Sequence, residues 1–481
     1  MASALFSSDG ADVIQRELSP LEPSEPITAD VTLDDVYEIQ KSINFIKEKG
    51  ASKVALQFPD DLLVISVSIA RKLDEATGAK VYILGDTSYG SCCVDEVAAE
   101  HVGADALIHY GRACLSPCRR LPVTYIFGRK AVDVDLCAQA FQNLFPEQDS
   151  RIVVFSDVVY DHVLGELEMR FMTIYPHVIF SKLSWLEEAP SAGEVYKFGR
   201  KFCPDPSLWP GSYNFFYVGG EGSTLSNLLL TWPHCTFFSF NPVTNESRRE
   251  GVHVNRALMK RFYLIEKARD AQVVGILVGT LGVSDYLSAL SHLKSIIRRA
   301  GKKSYMLSMG KLNPAKLANF PEVDIFVLVA CSENSLLDSS EFYRPIITPD
   351  EMEVACNPAR EWGGRCITDF RELLPGGPAH VAFPEMTPED ADWTDVSLIT
   401  GELRSIRFSS SALEKASEEE SKTSLVLRNS TTTVAELGPA ASFLSSRSWQ
   451  GLDKALGQTP VVKAVQGRKG IAIAYEDEVN S

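Results

Sequence analysis

The chain has 481 residues, 45% of them hydrophobic, and its 47 basic against 63 acidic side chains give a net charge of −16. That length exceeds one ordinary core, and the apolar content supports about three folded domains. The acidic balance argues against a nucleic-acid backbone as the main partner, because phosphate binding needs a basic surface.

No run of 18 or more apolar residues offers a membrane span, and the opening MASALFSSDGADVIQRE lacks the basic start and apolar stretch of a secretory signal. A soluble, cytoplasmic protein is expected, with no membrane and no direct nucleic-acid partner. Ten cysteines in a reducing compartment do not make a disulfide framework, so metal or redox use is expected of some of them.

Residues 1–32 form a Pro/Glu-rich leader (SPLEPSEPITAD) expected to be disordered, and folded structure is expected from residue 33. VYEIQKSINFIKEKG predicts an amphipathic helix ending at Gly50, followed by a strand at 54–58 (VALQF). Then come a helix (LVISVSIARKLDEATG), a strand at 81–85 (VYILG), a short helix (VDEVAAEHVG) and a third strand at 106–110 (ALIHY). Strands alternating with helices imply a parallel sheet with helices on its faces, an α/β fold.

A second run starts at RIVVFSD (151–157) and continues through HVIFSKLSW and NFFYVGG to FFSFNP. A third starts at VVGILVGTLG (273–282) and continues through SALSHLKSIIRRAG, SYMLSMG and NPAKLANF to IFVLVAC at 325–331. The first and third runs match in kind. In each, a helix ending in Gly (Gly78, Gly301) leads to a basic residue and a strand, then a short helix, an acidic spacer (GAD or EVD) and an apolar strand. The expected divisions are 33–150, 151–262 and 263–408. A Ser/Thr/Glu-rich flexible linker is expected over 409–447, and a C-terminal segment, 448–481, that packs back on a domain or a partner.

Cys93, Cys114 and Cys331 lie just beyond apolar strand-like runs, and Cys114 and Cys331 fall at corresponding points of the repeated pattern. In open α/β sheets, functional groups gather at the carboxyl ends of strands, so these thiols are candidates for one shared site. Three thiolates would leave one metal corner open. Cys93 is expected just before a helix whose N-terminal amides favour a thiolate or an anionic cluster, and adjacent Cys92 stands as its alternate.

Structural zinc needs close Cys pairs twice over, and only Cys114 and Cys118 have such spacing. The C-x-x-x-C-x-x-C spacing common in radical S-adenosylmethionine enzymes is absent, so cluster ligands must come from separate parts of the fold. Cys118, Cys137, Cys203, Cys235, Cys356 and Cys366 are expected to be ordinary thiols.

GGEGST (219–224) and GTLGVSD (279–285) could cradle a small anion, although a tight strand-to-helix turn explains both. His109 suits a core histidine. The patch Arg112, Arg119 and Arg120 suits a solvated loop.

The stretch GDTSYGSCCVDEVAAEHVGADALIHYGRACLSP strongly resembles the diphthamide biosynthesis radical-enzyme family. The likeness extends through LQFPDDLL, GKLNPAKLANFPEVDIFVLVACSE and ITPDEMEVACNP, covering roughly residues 33–405 and the terminal motif. The resemblance implies three similar α/β domains, each a small parallel sheet flanked by helices, around a central [4Fe-4S] cluster that binds S-adenosylmethionine. It implies transfer of a 3-amino-3-carboxypropyl group to a histidine of translation elongation factor 2.

HYGRACLSP, the serine-rich linker and the ending SFLSSRSWQGL with GRKGIAIAYEDE resemble the second subunit of the eukaryotic heterodimer. The first subunit and the archaeal homodimer supply one cluster cysteine per domain. Here the middle domain shows no equivalent, and Cys114 takes that place beside Cys93 and Cys331.

The resemblance then implies that the first subunit's cluster cleaves S-adenosylmethionine, the co-substrate of the complex, while the cluster here delivers an electron to it. The other implied partners are elongation factor 2, a small zinc/iron electron donor and a J-domain accessory protein. Two further readings stay open: that this chain cleaves S-adenosylmethionine itself, or that it is a cluster-free scaffold stabilising the first subunit.

Overall fold

Apolar runs such as ALIHY, IVVFS and IFVLV have buried residues on both faces, as expected of inner strands in a parallel sheet covered by helices. The computed structural model describes residues 33–85, 92–118, 120–185, 193–251, 254–310, 312–337, 341–384, 392–401, 403–407, 463, 470–471 and 474–475. The expected leader and linker lie outside these residues. No helix among the described residues is long and apolar enough to cross a membrane.

The first sheet follows helix α1 (Ile39–Lys49) and contains β1 (Lys53–Gln57), β2 (Lys80–Leu84), β3 (Ala106–Tyr110) and β4 (Val123–Ile126), with α2 (Leu63–Thr77) and α3 (Glu96–His101) as crossovers. Its order is β2-β1-β3-β4, all parallel. The second follows α4 (Val134–Leu144) and contains β5 (Ile152–Ser156), α5 (Leu164–Phe171) and β6 (Val178–Phe180). A small antiparallel sheet of β7 (Lys182–Leu183), β8 (Val195–Lys197) and β9 (Arg200–Phe202) intervenes. The chain then returns through β10 (Asn214–Val218), α6 (Ser223–Thr231) and β11 (Thr236–Asn241).

The order of the second sheet, β6-β5-β10-β11, repeats that of the first, with β12 (Glu246–Glu250) added antiparallel at the edge. The third follows α7 (Val254–Asp270) and contains β13 (Val273–Val278), α8 (Tyr286–Arg299), β14 (Lys303–Ser308), α9 (Pro314–Leu317), β15 (Ile325–Val329) and β16 (Ile346–Ile347). Its order, β14-β13-β15-β16, is the same again. Helix α10 (Pro349–Cys356) follows, then an antiparallel pair, β17 (Asp392–Val396) and β18 (Leu403–Arg407).

The acidic spacers have one shared task. Asp105 Oδ2 accepts from the backbone N–H groups of Ser52 and Lys53 at 3.0 and 2.9 Å, and Asp324 Oδ2 accepts from those of Gln272 and Val273 at 3.0 Å each. Each carboxylate therefore ties the start of the third strand to the start of the first. Hydrogen bonding to Ser52 holds the Asp105 carboxyl below its ordinary range.

The divisions expected at 150/151 and 262/263 fall after α4 and within α7. Helix α7 runs unbroken through residue 262, and it packs on α10 and β16 of the third sheet. Helix α4 likewise packs on α5 and β11 of the second sheet, placing Phe141 against Phe171 and Phe216. The 150/151 division fell at a strand start and the 262/263 division inside a helix, whereas each leading helix covers the sheet it enters. At the far end, Gly470–Ile471 pairs with Ala474–Tyr475, and the side chain of Lys463 lies against Gly103 beyond α3.

Helix α7 is fastened by a buried ion pair in which the Arg261 guanidinium donates from Nε and Nη2 to the two carboxylate oxygens of Glu351, at the start of α10. Arg261→Met would strand the Glu351 carboxylate, leaving a buried charge unpaired. The expected loss is about 3–5 kcal/mol of stability, read as a lowered urea midpoint; an unchanged midpoint would contradict the assignment.

Candidate functional site

Strand β1 ends in Gln57, whose buried amide organises the loop beyond β2. Its Nε2 donates to the carbonyl of Cys93 at 2.8 Å, and its Oε1 accepts from the N–H of Asp95 at 2.9 Å. Asp95 in turn caps α3 by accepting from Ala98 N–H at 2.9 Å. The helix thus begins at Glu96, with Asp95 as its cap. A hydroxyl also reaches Cys93, with Thr280 Oγ1 lying 3.5 Å from Cys93 Sγ.

Thr280 belongs to GTLGVSD after β13. It is fully buried, and its Oγ1 also accepts from Gly282 N–H at 3.3 Å. A Cβ at residue 282 would overlap the carbonyl oxygen of Val94, so only glycine lets this turn lie against the Val94–Asp95 peptide. The motif serves close approach between two sheets.

Cys114 arrives from the loop after β3, held by a hydrogen bond from its N–H to the Cys92 carbonyl at 3.1 Å. Cys331 lies two residues beyond β15. Cys92, Cys114 and Cys331 place their sulfurs within 4.8 Å of one another, and Cys93 Sγ lies 3.9 Å from Cys114 Sγ. The structure therefore brings together every cysteine singled out for the site, with Cys92 and Cys93 both present. Cys93, Cys114 and Cys331 are buried and Cys92 is partly exposed. Val278, Val283 and Ile276 belong to the same apolar cluster.

Hydrogen bonds from Cys331 above all, then from Cys92 and Cys93, hold the Cys114 thiol well below its ordinary range. Donation to Cys114 leads the upward shifts of the other three. Several soft sulfur donors gathered at one largely buried place suit a soft metal. By contrast, burial pushes Cys118, Cys137, Cys356 and Cys366 up to about 12 and Cys235 up to about 11, as for inert thiols.

The second sheet contributes differently. After β10, at the place matching the cysteine loops of β3 and β15, stands GGEGST. Its hydroxyls, Ser223 Oγ and Thr224 Oγ1, donate to Glu333 Oε1 at 2.7 and 2.6 Å. Asn227 Nδ2 donates to the Glu333 carbonyl at 2.9 Å. The anion held at this turn is thus a side chain two residues beyond Cys331. Burial raises the Glu333 carboxyl pKa, against the opposing pull of those donors.

Nearby, Arg112 pairs with Asp157 at 2.8 Å and Arg120 with Glu100 at 3.1 Å, so two cations of the basic patch are neutralised within the chain; Arg119 lies outside the described residues. Leu115, with φ of 55°, abuts Gly199 of the small antiparallel sheet. A cavity of about 30 Å³ opens beside Cys114, bounded by Leu115, Tyr196, Gly199, Cys366 and Asp369. It has room for a water or two. His109 is buried against the Tyr125 ring, in keeping with a core role.

Sequence reasoning missed Gln57, Thr280 as a donor, and Glu333. Their signals were faint: a polar residue ending an apolar strand, and hydroxyl or acid positions two residues from a turn or a cysteine.

Comparison with known proteins adds an independent line. Residues 58–367 match the family described as "Putative diphthamide synthesis protein". The chain is 69% identical to the 2-(3-amino-3-carboxypropyl)histidine synthase subunit 2 of Xenopus laevis over the whole of both chains. It is 56% identical to the Gallus gallus protein of that name and 44% identical to the Homo sapiens one, with 99% of each chain covered. The crystal structure of Dph2 from Pyrococcus horikoshii is similar in fold, with a TM-score of 0.54 at 21% identity over 72% of this chain and 96% of that one. A second structure of that protein, with a 4Fe-4S cluster, gives a TM-score of 0.53.

Gly282→Ala tests the close approach of the two turns. The new methyl group must displace the Val94 carbonyl, at an overpacking cost of about 1–3 kcal/mol, and should open the Cys92–Cys93 turn. Faster alkylation of Cys93 in the metal-free chain, followed by peptide mass spectrometry, is the expected result; alkylation at the wild-type rate would refute it.

Proposed function

Because the chain belongs to the family of diphthamide synthesis proteins, we propose that it is the iron–sulfur second subunit of the synthase heterodimer. That enzyme transfers a 3-amino-3-carboxypropyl group from S-adenosylmethionine to a histidine of translation elongation factor 2. In this reading the chain relays an electron to the catalytic cluster of the first subunit. The observation that carries the reading is the thiol junction, fed by the first and third sheets alone while the second sheet supplies hydroxyls to Glu333.

The donor set fits a [4Fe-4S] group: cysteine sulfurs from separate loops, close together and largely buried. Cys114, Cys331 and the Cys92–Cys93 pair, with Cys93 favoured and Cys92 its alternate, would hold it. A bound cluster supplies low-potential one-electron chemistry.

The chain's own residues prepare the place. Gln57 fixes the Cys93 carbonyl, Thr280 directs its hydroxyl at the Cys93 sulfur, and Val278 and Val283 share the apolar cluster that holds the cysteines. A hydrogen bond to a ligating sulfur stabilises the more negative state and raises the potential.

The word "subunit" in the relatives' names supports a first subunit as partner. Elongation factor 2, a small zinc/iron electron donor and a J-domain accessory protein complete the proposed partners. The cytoplasm suits the free state of all ten cysteines. The three equivalent strand orders support a division into three similar domains, each beginning at the helix that leads into its sheet.

Replacing Cys92, Cys93, Cys114 and Cys331 by Ala in this chain alone tests the relay in the anaerobic heterodimer. Iron content should fall, with transfer to elongation factor 2 retained under dithionite and weakened with the natural donor. Full activity under both conditions would establish a scaffold. Loss under both, with the dimer intact, would place catalysis here.

Thr280→Val should keep the iron and lower the midpoint potential, read by an EPR-monitored redox titration. An unmoved or raised potential would remove Thr280 from the role.

A further inference from the structure

Adjacent residues in a strand point to opposite faces, so only one of two neighbouring cysteines would ordinarily reach a common site. Cys92 and Cys93 lie in a turn, not a strand. Both of their carbonyls are fixed by buried partners, that of Cys92 by the Cys114 N–H at 3.1 Å and that of Cys93 by Gln57 Nε2 at 2.8 Å. This anchoring leaves both side chains on the same side of the loop. Cys92 Sγ lies within 4.8 Å of both Cys114 and Cys331, while Cys93 Sγ lies 3.9 Å from Cys114 and accepts from Thr280 at 3.5 Å.

An idle thiol in such a place would be a small hydrophobe facing other sulfurs. A ligand is what the arrangement supplies, since Cys92 and Cys93 both place their sulfur beside that of Cys114, and Cys331 joins Cys92 and Cys114 within 4.8 Å.

We propose that Cys92, Cys93, Cys114 and Cys331 form a four-thiolate site, so that each iron of a bound [4Fe-4S] cluster carries a protein sulfur and none is open to an exogenous ligand. The inference rests on the iron–sulfur reading above and narrows it: a closed coordination shell transfers electrons but cannot bind S-adenosylmethionine through iron. Closure by a fourth thiolate also adds a negative charge, which favours the oxidised state and so a stronger reductant.

The test uses the anaerobically purified full chain, reconstituted with iron and sulfide, reduced, and examined by EPR with and without cyanide as the exogenous iron ligand. The wild-type spectrum should not change on adding cyanide. Cys92→Ala and Cys93→Ala should each retain a cluster and each acquire a cyanide-dependent signal.

A cyanide-dependent signal in the wild type overturns the proposal while leaving the iron–sulfur reading in place. The same holds if either single variant keeps the wild-type, cyanide-insensitive spectrum, because that cysteine is then no ligand. Zinc, or no metal, in the wild type overturns both readings. The wild-type measurement is decisive even where a variant loses its iron.

Discussion

The turn after β13 can rest on the Val94 carbonyl because residue 282 has no side chain, and from that contact the relation between the first and third sheets follows. Once the two turns touch, the Thr280 hydroxyl comes within reach of Cys93, and the loop after β15 carries Cys331 to the thiols of the first sheet. The site is therefore not a feature of either sheet. It is what remains when two equivalent sheets meet at their carboxyl edges, where functional groups of open α/β folds collect.

The second sheet shows how one architecture can serve two tasks. Its strand order is that of its neighbours, yet the loop after β10 is glycine followed by hydroxyl residues, and its donors hold the segment carrying Glu333. The same position that supplies a cysteine in the other two sheets here supplies an anchor for the loop that carries one. The Arg112–Asp157 pair and the contact of Leu115 with Gly199 anchor the Cys114 loop in a similar way. Both cysteine loops are thus braced from the side that provides no thiol.

Much of this was readable in the sequence because it rests on local chemistry. The repeat was visible in Gly78 and Gly301 and in the spacers GAD and EVD, and the structure gives Asp105 and Asp324 the same pair of backbone N–H partners. Cys114 and Cys331 stood out because they follow equivalent strands. What could not be read depends on packing between segments far apart. Helices α4 and α7 precede their sheets, and nothing in their own patterns says which sheet they cover. The edge strand β12, ESRRE, is almost wholly charged and exposed, a composition that guards an edge rather than marks a strand. Cys92 could not be told from Cys93 because the direction of a side chain in a turn is set by its partners, here Gln57 and Cys114.

Cys93 and Thr280 are separated by 187 residues, whereas the pairings within each sheet join segments much closer in sequence. Contacts so distant form late, because the cost of closing the intervening loop falls due before they can repay it. During synthesis the cysteines of the first sheet emerge well before the turn that shelters them. For that interval they are thiols awaiting a shell, open to oxidation and to stray metals. Assembly of the centre is therefore a question of timing in the cell as much as of geometry in the finished fold.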